Sequence, residues 1–311
     1  MTSQPFAAGS ISLRLYPHDD RPAAEIIAVM REQAALGAAA GFDGVMTSEH
    51  HGGFRGYLPN PIQAAGWALE AMPSGWAAPC PLLLPLRPTS LVVEEIAWLA
   101  ARFPGRIGLG VAAGSLEQDF TIMGLDKTDL TRRFADGLAT VTAALSGRDG
   151  GPLSADPAVR RCATHPVPVL SAAMSAVACR RAADLGAGLL IDSLAPLPRC
   201  RELADRFRDA GGTAPVSLVR RVSIGGRSNV QHDAQVDVYR TYSAPAAQAH
   251  WSESQLISGC AAAVADGLMA ARAAAGADSM NIRIHVPGIT PDEVSRQIDE
   301  LAEVIALMRK H

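Results

Sequence analysis

Short apolar runs alternate with longer, Ala-rich segments of helical period along the chain. Residues 11–16 (ISLRLY) alternate as a strand does, successive side chains falling on opposite faces. Residues 22–40 put Ile26, Ile27, Met30, Ala34 and Leu36 on one helical face, and Pro22 suits a first turn. The pair of patterns then recurs. Strands are expected over 43–47, 76–84, 106–111, 167–171, 188–191, 216–224 and 279–285. Helices are expected over 61–69, 91–102, 128–145, 175–185, 197–210, 261–275 and 290–308. Asn60 suits the N-cap of the second helix, and Pro104 stops the third. Residues 147–166, rich in Gly, Pro and Asp, read as a loop, and 230–250 as a polar insertion that carries aromatic residues.

Eight strand–helix units in 311 residues predict an α/β fold: a (β/α)8 TIM barrel with an insertion before the last strand–helix unit, one domain over 1–311. A doubly wound open sheet is the alternative, but no GxGxxG follows the first strand.

Composition narrows this mainly by exclusion. Hydrophobic residues make up 48% and charged residues 19%, which suits a globular chain with a large core. A net charge of -3 and a pI near 6.2 give no basic stripe for nucleic acid or an anionic membrane. The five cysteines (Cys80, Cys162, Cys179, Cys200, Cys260) are far apart and lack zinc or redox spacing, so reduced thiols in a cytoplasm are expected. MTSQPFAAGS lacks the basic-then-apolar order of a signal peptide, and no apolar run reaches bilayer length.

In such a barrel, chemistry collects at the carboxyl ends of the strands. One stretch stands out there, GFDGVMTSEHHGGF (41–54), in which an apolar run ends in Glu49, His50 and His51. A histidine exchanges protons near neutral pH, and a neighbouring acid can orient it. A loop histidine closing a strand is the alternative reading. Zinc is not expected, because HExxH is absent and adjacent histidines rarely reach one metal. Glu117 and Asp119 read as ordinary solvated residues, Arg132 and Arg133 as surface residues, and Trp67 as core packing. Arg283 and His285 end the last strand, which places one of them to face the barrel mouth. Tyr239, Tyr242 and Trp251 fall in the insertion, a candidate lid.

Five segments together resemble the bacterial luciferase-like family of flavin- or deazaflavin-dependent oxidoreductases. They are GFDGVMTSEHH (41–51), LLLPLRPTSLVVEEIAWLAARFPGRIGLGV (82–111), GSLEQDFTIMG (114–124), PVPVLSAAMSAVACRRAADLGAGLL (166–190) and MNIRIHVPGITPDEVSRQIDELAEVI (280–305). They run in the family's order; 147–165 and 226–257 are unmatched. The resemblance implies a barrel that holds an isoalloxazine-type ring at its mouth. It implies a catalytic, ring-lining role for His50; His51, with Phe54 and Tyr57 that follow strand two, is placed to shape a substrate pocket. His51 matches a second histidine of the luciferase branch. It also implies a cis peptide beside the ring at Cys80–Pro81, where proline makes the cis form cheap. The same letters also read as a strand entry stiffened by prolines.

At the phosphate end, the resemblance implies that the amides of Ala173 and Met174 and the hydroxyl of Ser175 meet an anion at a helix N-terminus. Alternatively, Ser175 simply caps that helix. The chain departs from the luciferase pattern at Ala113, where a phosphate-binding arginine is usual, and at Ala112, where luciferase has a reactive cysteine. Ser115 stands near the position of a glutamate used by deazaflavin sugar-phosphate dehydrogenases.

The implied function is a monooxygenase that uses reduced FMN, supplied by a partner reductase, and oxygen on a small organic substrate. Two alternatives stand beside it: hydride transfer with the deazaflavin coenzyme F420, and a flavin-binding barrel without turnover. A cytoplasmic homodimer is expected, with no nucleic-acid or membrane partner.

Overall fold

Eight parallel strand positions close on themselves in the computed structural model, which describes residues 4–17, 19–54, 57–148, 151–242, 248 and 255–310. The strands are β1 (Ile11–Leu15), β2 (Gly44–Thr47), β3 (Trp76–Pro79), β4 (Leu82–Leu83), β5 (Leu109–Ala112), β6 (Val169–Ala172), β7 (Gly188–Ile191), β8 (Val216–Ile224), β9 (Leu256–Gly259) and β10 (Ser279–Arg283). Pairing runs β3-β2-β1-β10-β8-β7-β6-β5-β4. β3 and β4 share the third barrel position. Leu82 pairs with Val111 and Ala77 bridges to Ile107, which closes the ring. β9 lies along the upper half of β8.

The helices are α1 (Ala23–Ala39), α2 (Pro61–Ala71), α3 (Thr89–Arg102), α4 (Glu117–Ile122), α5 (Leu130–Leu145), α6 (Pro157–Arg161), α7 (Ala176–Leu185), α8 (Leu197–Asp209), α9 (Asn229–Tyr242), α10 (Ala261–Ala275) and α11 (Pro291–Met308). Parallel strands covered by helices are buried on both faces, which is why they read as apolar runs. Leu13, Val45, Ala77 and Leu109 face outward into the large core under the helices. Their neighbours Met46, Ala78, Cys80, Leu170 and Val219 fill the barrel interior with Phe6 and Trp76. Trp76 meets Phe6 edge-on, ring centroids 5.1 Å apart, at the closed end. A Cβ on Gly44 would sit 2.2 Å from the Trp76 ring, so β2 has to begin with glycine. Asn60, Ser175 and Thr290 cap their helices by accepting from the amides of Gln63, Ala178 and Glu293.

Four regions depart from the sequence reading. The strand expected over 76–84 is broken after Pro79, and Leu84–Leu86 forms a 3-10 turn. Pro81 has no N–H to donate to a ladder, and the Cys80–Pro81 peptide is cis. The loop expected over 147–166 contains a 3-10 turn at Gly151–Ala155 and α6. Asp156 caps α6, accepting from Ala158 and Val159, with Pro157 in the first turn. The 114–127 connection contains α4. The polar insertion forms α9 and the short strand β9. No helix among the described residues is long and apolar enough to cross a membrane.

Candidate functional site

The carboxyl ends of β2, β4 and β5 form one wall of the barrel mouth. β2 delivers Glu49, His50 and His51 in succession, and adjacent positions point in different directions. Glu49 is buried; its Oε1 accepts from His51 Nε2 at 3.0 Å and from Arg87, and its Oε2 accepts from the Leu83 amide at 2.6 Å. Glu49 thus ties the end of β2 to β4 and to the 3-10 turn beyond it. His51 is buried behind the mouth with its ring engaged by that acid.

His50 turns the other way. Its Nδ1 lies 2.7 Å from Asp119 Oδ2, and Asp119 Oδ1 accepts from the His51 amide at 2.8 Å. With a carboxylate as acceptor, Nδ1 carries the hydrogen, and Nε2 is turned away from the acid. The ring packs 4.7 Å from Phe54 and edge-on to Tyr57 at 4.4 Å.

Asp119 corrects the sequence reading, which made it solvated: it is wholly buried. Its neighbour Phe120 inserts between Leu83 and Leu86, and that packing draws α4 onto the rim and the acid inward. The signal was the apolar pair Leu116 and Phe120, four residues apart, flanking an acid. Glu117 is exposed, as read, and pairs with Lys127 at 3.3 Å.

The ends of β1, β10 and β8 form the opposite wall, where Arg14, Arg283 and Arg221 are all buried. Arg14 donates to Asn281 Oδ1 (2.5 Å), Tyr16 Oη (3.0 Å) and Ser48 Oγ (2.6 Å). Arg283 donates to Tyr239 Oη at 2.8 Å and lies over the Tyr16 ring at 4.5 Å. Arg221 donates to the His232 carbonyl at 3.0 Å and to Gln235 Oε1 at 2.8 Å. Tyr239, His232 and Gln235 all come from α9, which therefore crosses this side of the mouth. Tyr239 Oη also meets Tyr57 Oη at 2.9 Å, joining the two walls.

Burial and then the neighbouring Arg283 push Arg221 down to about 10. Burial opposes the charge on Arg283 as well, but the oxygens of Tyr239, Tyr57 and Tyr16 outweigh it and hold Arg283 above its ordinary value. That gain requires phenolates, so with neutral phenols the pair remains two cations without a counter-charge. Burial works to raise Tyr16, yet Arg14 and Arg283 prevail and draw it below the ordinary tyrosine value. Tyr57 is pushed well up, by burial first and then by Tyr16. His285 follows β10, with Nε2 2.8 Å from Gln33 Oε1 and Nδ1 3.1 Å from the Arg14 carbonyl; burial lowers it to about 3. The sequence placed Arg283 or His285 at the mouth but did not single out Arg14 or Arg221.

The remaining candidates are spread along the floor and rim. Cys80 is buried beneath the mouth, where burial raises its thiol to about 12. From β5 to β6 the strand ends present Ala112, Ala113, Gly114 and Ala172, all half-buried and small. At the β6–α7 turn Ala173 is buried, Met174 is exposed, and Ser175 Oγ accepts from the Ala178 amide at 3.3 Å. Arg199 of α8, which the sequence reading passed over, donates to the Met174 carbonyl at 2.8 Å and pairs with Glu202. Trp67 is half-buried against the core, Arg132 is exposed, and Arg133 is half-buried, donating to the Pro85 carbonyl at 2.7 Å. Trp251 lies outside the described residues.

Solved structures share this fold. The chain superposes on the monooxygenase RslO1 from Streptomyces bottropensis with a TM-score of 0.83 at 17% identity, over 96% of this chain and 99% of that one. The oxygenating constituent of 3,6-diketocamphane monooxygenase from Pseudomonas putida, in complex with FMN, gives 0.77 at 15% identity, over 96% and 98%. An F420-dependent secondary alcohol dehydrogenase, in complex with an F420-acetone adduct, gives 0.72 at 16%, over 96% and 99%. No curated protein matches the chain. The family model described as luciferase-like monooxygenase matches residues 11–307, nearly the whole barrel, and the chain belongs to that family.

Proposed function

We propose that the protein is a monooxygenase that uses reduced FMN and oxygen on a small organic substrate. The observation that carries this reading is His50, held by the buried Asp119 with one ring nitrogen turned away from the acid at the strand-end rim. Reduced FMN, when bound, supplies the electrons that activate oxygen. His50 gives or takes a proton at Nε2, while Asp119 fixes its tautomer and orientation. The small residues at Ala112, Ala113 and Ala172, with Cys80–Pro81 beside them, would seat the isoalloxazine ring. Phe54 and Tyr57 exclude water from the His50 ring, and His51 braces the wall through Glu49. At the phosphate end, the amides of Ala173 and Met174 and the hydroxyl of Ser175 would meet the anion where α7 begins. The FMN would come reduced from a separate reductase.

Hydride transfer with the deazaflavin coenzyme F420 is the second reading. It is favoured by Ala113, which leaves the phosphate end short of one expected cation. Titration of the purified protein with FMN, reduced FMN and coenzyme F420, followed by absorbance, separates the two. Tight F420 binding with negligible FMN affinity would sink the monooxygenase reading.

A further inference from the structure

We propose that the Arg14–Arg283–Arg221 wall recognises an anionic oxygen of the substrate, carried as an aromatic carboxylate or a phenolate. The inference names a substrate class for the site above and borrows from that reading only the word substrate. Three buried guanidiniums come together on adjacent strands, and Arg283 and Arg221 are direct register partners of β10 and β8. Among the described residues no carboxylate is hydrogen-bonded to any of them; their acceptors are amide, hydroxyl and carbonyl oxygens and the Met46 sulfur. A buried cation without a counter-charge is costly, and side-by-side cations compound the cost. Asp192, the acid that acts on Arg221 through space, is exposed and accepts from Ser193 Oγ and the Leu194 amide.

The wall also has donors to spare. Arg221 Nε is buried without a partner, and Arg283 Nη1 makes no hydrogen bond among the described residues. Beside them the buried His232 ring makes no hydrogen bond of good geometry, although the Val222 main chain lies near. Of the two acceptors that Arg283 holds, the nearer is a phenol oxygen, that of Tyr239, and the other is the His285 carbonyl. Guanidinium forks match planar carboxylates and also donate singly to a phenolate oxygen, and the rings of Tyr16, Tyr57 and Tyr239 suit an aromatic body. Tyr239 meets Tyr57, and Tyr57 packs on His50, so a group held here lies next to the proton-transfer wall.

Calorimetric titration of the full chain with benzoate and 4-nitrophenolate, each beside its neutral isostere benzamide or 4-nitroanisole, tests this. At least one anion is expected to bind tenfold or more tightly than its isostere; which one does so tells carboxylate from phenolate. Arg283→Met and Arg221→Met are expected to erase that preference. The wild-type comparison needs no variant, and Arg283→Lys, which keeps the charge and loses the fork, is expected to lower the preference severalfold. Equal binding of anion and isostere, no saturable binding of either anion, or a full preference retained in both Met variants overturns the proposal. FMN titrated in parallel separates the two readings. FMN binding without anion binding defeats this inference alone, whereas anion preference without flavin binding defeats the oxygenase reading and leaves this one standing.

Discussion

On the β2–β4–β5 side of the barrel mouth, each buried acid is matched by several donors. Glu49 holds Arg87, His51 and the Leu83 amide, and Asp119 holds His50 and the His51 amide. On the β1–β10–β8 side, three buried cations are hydrogen-bonded among the described residues only to neutral oxygens and a sulfur, and Arg221 Nε and Arg283 Nη1 have no hydrogen bond there. The difference separates two jobs. A wall whose charges are satisfied internally is rigid and stabilises the fold, because removing one partner strands the others. A wall that keeps unmet donors gives up stability and is ready for an outside acceptor.

If that contrast is right, the largest effect comes from breaking the satisfied wall. Glu49→Ala strands Arg87, His51 and the Leu83 amide and is expected to cost about 3 kcal/mol in urea unfolding. A loss under about 1 kcal/mol would show that the acid wall is not structural. His50→Ala should separate chemistry from stability on the same wall. Turnover with reduced FMN and oxygen is expected to fall about 100-fold, with unfolding changed by less than about 1 kcal/mol. Unchanged kinetics would remove the role assigned to His50.

Acid is expected to weaken the fold on the arginine side. Burial, then Arg221 and Arg283, lower His232 to about 3, against 6.5 in the unfolded chain. Between those values the unfolded state binds the extra proton and the folded state does not. Stability therefore falls as pH drops below 6.5, by roughly 1.4 kcal/mol per pH unit from this group once fully in the window. His232→Phe should make the fall of the urea midpoint between pH 6.5 and 4.5 less steep, leaving the similar contribution of His285; an unaltered slope would mean that His232 is not held neutral by the arginine wall. The smallest effect is expected at Arg221→Met. Replacing an under-satisfied cation by an apolar chain of similar length should change stability by less than about 1 kcal/mol, or raise it. A loss comparable to that of Glu49→Ala would abolish the distinction between the walls.

Much of this was legible locally. The apolar runs that became β1, β2 and β5 to β8, the Asn60 cap and the placing of His50 at a strand end all follow from neighbouring residues, since period and capping act within a few positions. The 3-10 turn and α6 were missed because Gly, Pro and Asp dominate 147–166. The Asp156–Pro157 pair inside that stretch is itself a helix-start signal. The misreading of Asp119 has another cause. Whether an acid in a short helix is solvated depends on what its neighbour packs against, and Phe120 packs against Leu83 and Leu86, some 35 residues earlier in the chain. The arginine wall was hidden for the same reason. Arg14, Arg221 and Arg283 lie in three strands spread over most of the sequence, and only the closing order β1-β10-β8 makes them neighbours.

The sequence by itself determined the alternation of strands and helices, the eightfold count and the position of His50, because hydrophobic period is a local property of the chain. Only the tertiary structure decided which charges share a buried space: Asp119 with His50, Glu49 with Arg87, and three arginines with no acid among them. Burial and pairing depend on contacts between residues far apart in sequence, and barrel closure alone brings those residues together.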